Sequence, residues 1–177
     1  MQEIAVIMKC SVNTVAYWMN KHGIKRRLIR DAIYNWHNPT GDPFKFRLPK
    51  TAAENKLFGM GIGLYWGEGT KANKGAIRLG NSDPKLIKTF INFLIVIFGI
   101  RKTDLKFGLQ IFSDIDPGQA LDFWTKALKI DKSQFQKPVV TISGSLGTYR
   151  KKSQYGVVTV HYNNRKARDL LISFLPM

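Results

Sequence analysis

Between Leu57 and Gly69 the chain reads Leu-Phe-Gly-Met-Gly-Ile-Gly-Leu-Tyr-Trp-Gly-Glu-Gly, with five glycines in the last eleven of these positions. Each glycine costs a helix about 1 kcal/mol relative to alanine, so a run this dense would normally forbid one. Yet Gly59, Gly63 and Gly67 recur every fourth residue, which stacks them on one helical face. A face without side chains lets another backbone approach closely, and the packing gained offsets the propensity cost. The spacing therefore predicts a helix over 54–68 whose glycine face meets a partner helix. The chain contains only one such helix, so the partner is the same helix in a second copy and the assembly a two-fold homodimer.

Charge narrows what such a dimer binds. The 177 residues carry 28 Lys+Arg against 12 Asp+Glu, a formal charge of +16, and such a surface attracts polyanions, nucleic acid first. The hydrophobic share of 44% is too high for a disordered basic tail. Cys10 is the only cysteine, which excludes an internal disulfide and a multi-cysteine zinc site. No signal peptide is evident after Met1, and the longest apolar stretch, Ile87 to Ile100, is too short to span a bilayer. The expected setting is the cytoplasm, with the protein on the nucleoid when bound to DNA.

The first 27 residues predict a helix-turn-helix: a short helix over 2–9, Ser11 as N-cap, and a second helix from Val12 to Lys21 ended by Gly23. Ala5 falls where two helices must come close, and Lys9 falls at the turn position where glycine is usual, so its backbone must accept a strained conformation. Ser11, Asn13, Thr14 and Tyr17 lie on the open side, placed to touch bases or phosphates. Lys21, Lys25, Arg26 and Arg27 would sit on the DNA backbone beside the groove. Residues 28–53 read as a basic connector, dense in turn residues from Asn38 to Pro43.

After the glycine helix, strands are predicted over 75–80, 105–112, 138–143 and 155–163. Helices are predicted over 84–98, 118–129 and 164–175. In the second strand Leu105, Phe107, Leu109 and Ile111 point inward while Lys106, Gly108 and Gln110 point outward. The segment 144–152 is basic and is expected to form a flexible loop.

Glu68 closes the glycine helix and is the only acid between Glu54 and Asp83. At a symmetric helix pair it would meet its own mate, and two like charges held close demand a cation between them. Carboxylate oxygens suit Mg²⁺ or another divalent cation, which can activate water against a phosphate. A carboxylate that merely caps a turn or pairs with Lys71 is the plainer alternative.

From Gly63 through Leu64-Tyr65-Trp66-Gly67 to Glu68-Gly69, the segment resembles the defining helix of the LAGLIDADG homing endonucleases, and the likeness covers about residues 54–175. It implies an α+β LAGLIDADG-like domain over 54–177, with a DNA-facing antiparallel sheet, behind the small helix-turn-helix. It also implies Glu68 and the Gly67 carbonyl as metal ligands, and a lysine near the cleavage centre, Lys106 before Lys137. Outward side chains of the sheet, Arg78, Lys106, Gln110, Thr159 and His161, would read bases, and Arg150, Lys151 and Lys152 would reach phosphates. The implied activity is site-specific cleavage of both strands of a long, near-palindromic duplex by a homodimer, with no small-molecule substrate and no membrane. Three features depart from the family: Glu replaces the usual Asp, Trp66 is bulky, and a long helix separates the first two strands. These departures suit a compact bacterial branch, or related regulators that keep the fold without nuclease activity. A transcription regulator is therefore the alternative, and an RNA-splicing cofactor is a third function that the resemblance admits.

Other motifs fail. Trp66 breaks a G-x-G-x-x-G dinucleotide loop, and His22, His37 and His161 are too scattered for a His-based metal site or triad. Tyr34, Trp36 and Tyr149 are aromatics placed either to stack on bases or to pack.

Overall fold

A computed structural model describes residues 1–142 and 153–176 of the chain. The chain divides into two compact units, Met1–Pro43 and Phe44–Met177.

In the first unit, α1 (Gln2–Ile7) and α2 (Val12–Lys21) pack through Ala5 and Val15, the unit's buried apolar residues. Both helices end in the same way, because each must satisfy its last carbonyls. The Cys10 N–H bonds back to the Ala5 carbonyl at 3.0 Å and Lys9 N–H to Val6 at 3.2 Å. After α2, the Ile24 N–H reaches Met19 at 2.8 Å and the Gly23 N–H reaches Asn20 at 3.2 Å. This ending needs a left-handed residue. Gly23 supplies it with φ 66°, whereas in the inter-helix turn Lys9 adopts φ 49°, the strain that the pattern foretold. Lys9→Gly is therefore expected to stabilise the unit by about 0.5–1 kcal/mol, since relief of the left-handed penalty exceeds the extra entropy of the unfolded glycine. Slower hydrogen exchange at the Cys10 and Val15 amides would show it.

The stretch expected as a connector over 28–53 is corrected at both ends. It contains α3 (Ile29–His37), whose Ile29, Ile33 and Trp36 share one exposed helical face. The turn residues that follow explain the misreading: they end α3 at Asn38 but do not reach back into it. Residues 44–47 belong to the second unit. The Lys45 and Arg47 amides donate to the Phe98 and Ile97 carbonyls, each at 2.8 Å, while Phe46 meets Phe98 edge to face and stacks on Phe174.

The second unit is α+β. Its order is α4 (Ala52–Glu68), β1 (Ile77–Asn81), α5 (Pro84–Phe98), β2 (Lys106–Phe112), α6 (Pro117–Leu128), β3 (Val139–Thr141), β4 (Val157–Tyr162) and α7 (Arg165–Ser173). The four strands lie in the order β1-β4-β2-β3. β4 is antiparallel to both neighbours, but β3 runs parallel to β2, which corrects the expected antiparallel sheet. The cause is the connections. α5 and α6 carry the chain back after β1 and β2, so β1, β2 and β3 repeat one direction.

Alternation within the strands splits the sheet's faces. Ile77, Leu79, Phe107, Leu109, Ile111, Val158, Val160 and Tyr162 are buried on the helix side. Against them lie Phe90, Phe93, Leu94 and Phe98 of α5, Trp124 of α6 and Leu171 of α7, all buried. The other face carries Arg78, Gly80, Lys106, Gly108, Gln110, Thr159 and His161, each exposed or half-buried.

α4 begins with a full capping box. The Glu54 N–H donates to the Thr51 hydroxyl at 3.1 Å, and the Glu54 carboxylate accepts from the Thr51 N–H at 3.1 Å. Those bonds hold the Glu54 carboxyl below its usual range, the Lys50 and Thr51 backbone donors being the main cause. α4 lies on α5 through Phe58 against Phe93 and Tyr65 stacked on Phe90 at 5.9 Å.

Candidate nucleic-acid interface

The two sides of α4 use their glycines differently. Gly61 and Tyr65 are the buried residues of the helix, and a Cβ on Gly61 would stand 2.1 Å from the Phe93 ring. Gly59, Gly63 and Gly67 have nothing within 4 Å of such an atom and are exposed. At 100° per residue, Gly63 lies about 200° around the helix from Gly61. The stripe at four-residue spacing thus faces away from the unit's own core, with the exposed side chains of Met60 and Trp66 beside it.

The last turn delivers Glu68 to the β1 edge of the sheet. Gly69 bridges Leu79, and the Thr70 N–H donates to the Arg78 carbonyl at 2.9 Å. Gly69 has to be glycine here, because a Cβ would fall 2.4 Å from the Tyr65 ring. Glu68 itself is exposed. Lys71 curls back, its ammonium donating to the Trp66 carbonyl in that turn. Beneath lies the Tyr65 hydroxyl, 3.3 Å from the Thr70 carbonyl, and burial above all raises its pKa, so it stays a donor. Arg168 of α7 ties the same corner, donating to the Lys71 carbonyl at 2.6 Å. Arg168 went unnoticed in the sequence because its partner lies 97 residues away and no local pattern connects them.

On the open face, register brings three of the expected residues abreast. Arg78 pairs with His161, and His161 with Lys106. The adjacent row is Gly80, Thr159 and Gly108. Its glycines make room: a Cβ on Gly80 would meet the Thr159 hydroxyl at 2.9 Å, and one on Gly108 would meet His161 Nε2 at 3.2 Å. Farther along, Gln110 lies across from Val157 and reaches the Thr141 hydroxyl at 3.4 Å. Lys137 is exposed and follows Gln136, whose N–H donates to the Phe107 carbonyl.

His161 is half-buried, and burial first and the Arg78 guanidinium second hold its pKa below the usual imidazole value. The unfolded chain therefore takes up this proton first as pH falls, and the histidine's contribution to stability is lost below about pH 6.5. Arg78→Ala should move the His161 pKa upward, toward its ordinary value, in an NMR titration. An unmoved value would mean that burial alone sets it.

In the first unit, Ser11 caps α2, accepting from the Thr14 N–H at 3.0 Å and sharing a 2.9 Å bond with the Thr14 hydroxyl. Asn13 and Tyr17 are exposed, and so are Lys25, Arg26 and Arg27. Lys21 lies 4.7 Å over the Trp18 ring and 5.9 Å from that of Tyr17. Trp18 is exposed and stacks on His22. Arg150, Lys151, Lys152 and the loop 144–152 lie outside the described residues.

Among the described residues no three His, Cys, Asp or Glu side chains gather into a metal-binding group. No helix among them is long and apolar enough to cross a membrane. Comparison with known protein families, curated proteins and solved structures found no match.

Proposed function

We propose that the chain is a homodimeric, metal-dependent DNA endonuclease of the LAGLIDADG type, acting in the cytoplasm on the nucleoid. One observation carries the reading: the glycine face of α4 points away from its own core and ends at an exposed carboxylate beside a cationic sheet face. A helix apolar on all sides is stable only when its outer side is also covered, and a second α4 fits a surface of bare backbone. Pairing would bring two Glu68 carboxylates together.

The donor set suits a hard cation. Glu68 and the last-turn carbonyl of Gly67 are oxygen ligands of the kind that Mg²⁺ accepts, and a second copy would double the set. When bound, such an ion withdraws charge from a phosphate oxygen and acidifies water. Hydrolysis adds water across one P–O bond of the backbone: the water oxygen bonds to phosphorus, and the leaving sugar oxygen takes up a proton. Lys106 and Arg78, on the sheet face, would neutralise the phosphate through this change. The α2 face of the first unit, with Asn13, Tyr17 and the Lys25-Arg26-Arg27 run, adds DNA contacts of its own.

A duplex selected from a randomised library by binding, then incubated with the protein with and without Mg²⁺, tests the reading. Double-strand cutting that requires the metal is the expected result. Tight binding without cutting in any divalent metal would favour a transcription regulator of the same fold. One observation speaks for that second reading: Lys71 already places a cation on the Trp66 carbonyl beside Glu68.

A further inference from the structure

We infer that the Arg78–His161–Lys106 row is a binding site for a backbone phosphate of nucleic acid, and not a reader of base edges. The inference rests on the DNA-binding reading above and deepens it. Neighbouring strands stand about 4.8 Å apart, so the three side chains span about 10 Å across β1, β4 and β2. The four strands contain no Asp or Glu, so no carboxylate within the sheet balances the row. Arg78 and Lys106 flank β4 from its two neighbouring strands, so an anion laid over His161 would lie between two cations.

Arg78 supplies the second, independent sign. Its Nε is buried and has no hydrogen-bond partner. A guanidinium is matched best by a phosphate or carboxylate oxygen, and with Nε inside the fold only its terminal nitrogens could meet one. The burial also limits reach. A base edge lies deep in a groove about 8.5 Å deep, while phosphates line its rims. Arg78 Nε is closed off from solvent, and His161 Nε2 stands over Gly108. Beside them the Gly80–Thr159–Gly108 row presents mostly backbone, a low floor along which a sugar-phosphate strand can lie.

The test uses the full chain and two probes. Inorganic phosphate is titrated while the His161 ring resonances are followed by NMR. A saturable shift, lost in Lys106→Ala, is expected. Affinity for a selected duplex and for an unrelated duplex of equal length is then measured against salt. Arg78→Ala and Lys106→Ala should weaken both duplexes alike, by about three- to tenfold, and lower the salt slope by about one. Lys88→Ala, on the exposed side of α5, serves as the charge control and should leave the slope unchanged. Lys106 is itself exposed, so its variant keeps the test valid even where Arg78→Ala unfolds. Loss confined to the selected duplex, with relaxed preference at one base pair and an unchanged slope, would overturn the inference. So would the absence of any phosphate shift. A phosphate shift without binding to either duplex would overturn the DNA reading and leave the anion site standing.

Discussion

Replacing Glu68 with Gln is expected to lower DNA cleavage by about a thousandfold or more while leaving DNA binding intact. Glutamine keeps the length and helix propensity of glutamate but loses the charge by which Glu68 would hold a divalent cation. Removing one acid takes the formal charge from +16 to +17, so affinity for DNA should hold or rise slightly. Stability separates this outcome from simple damage. Glu68 is exposed at the C-terminal end of α4, where the helix dipole disfavours a carboxylate by about 0.3–1 kcal/mol. The variant should therefore melt at the wild-type temperature or slightly above it. An acid kept where it destabilises its own helix is what a functional residue looks like. A Glu68→Gln protein that cuts at the wild-type rate would remove the metal role.

The elements that local pattern revealed are those whose burial follows one period. The alternation from Leu105 to Ile111 is present with the predicted faces, and the helix expected over 84–98 is present as α5, because a single face is buried along each. α3 was missed because the turn chemistry after it dominated the reading of a polar stretch, although Ile29, Ile33 and Trp36 sit at helical spacing. The direction of β3 was not legible either. A strand's own residues do not name its neighbour, and the parallel pairing follows from the helical connections. The site divides in the same way. Arg78, Lys106 and His161 were each named from alternation, but that they stand in one row depends on register across three strands. Arg168, whose partner lies 97 residues away, is beyond any local signal.

Gly61 shows the same division inside one helix, and it yields the sharper stability prediction. Only Gly59, Gly63 and Gly67 stood out by spacing, yet Gly61 is the glycine that the core requires. A methyl group there would stand 2.1 Å from Phe93 Cγ, and Phe93 is fully buried among Phe58, Phe90 and Phe98. The ring has no free side to move toward, so Gly61→Ala overpacks the core, and its strain outweighs the gain of about 1 kcal/mol in helix propensity. A net loss of about 2 kcal/mol is expected in chemical denaturation. Gly63→Ala has the opposite sign. Nothing stands within 4 Å of the added atom, so the isolated chain should gain up to about 1 kcal/mol. The two substitutions share one chemistry and one helix, and differ only in the face they occupy. Gly63→Leu then isolates the second copy: the chain should stay folded while sedimentation shows a monomer. A dimer that survives Gly63→Leu unchanged would mean that the glycine face pairs with nothing. The two-copy cation site built on Glu68 would fall with it.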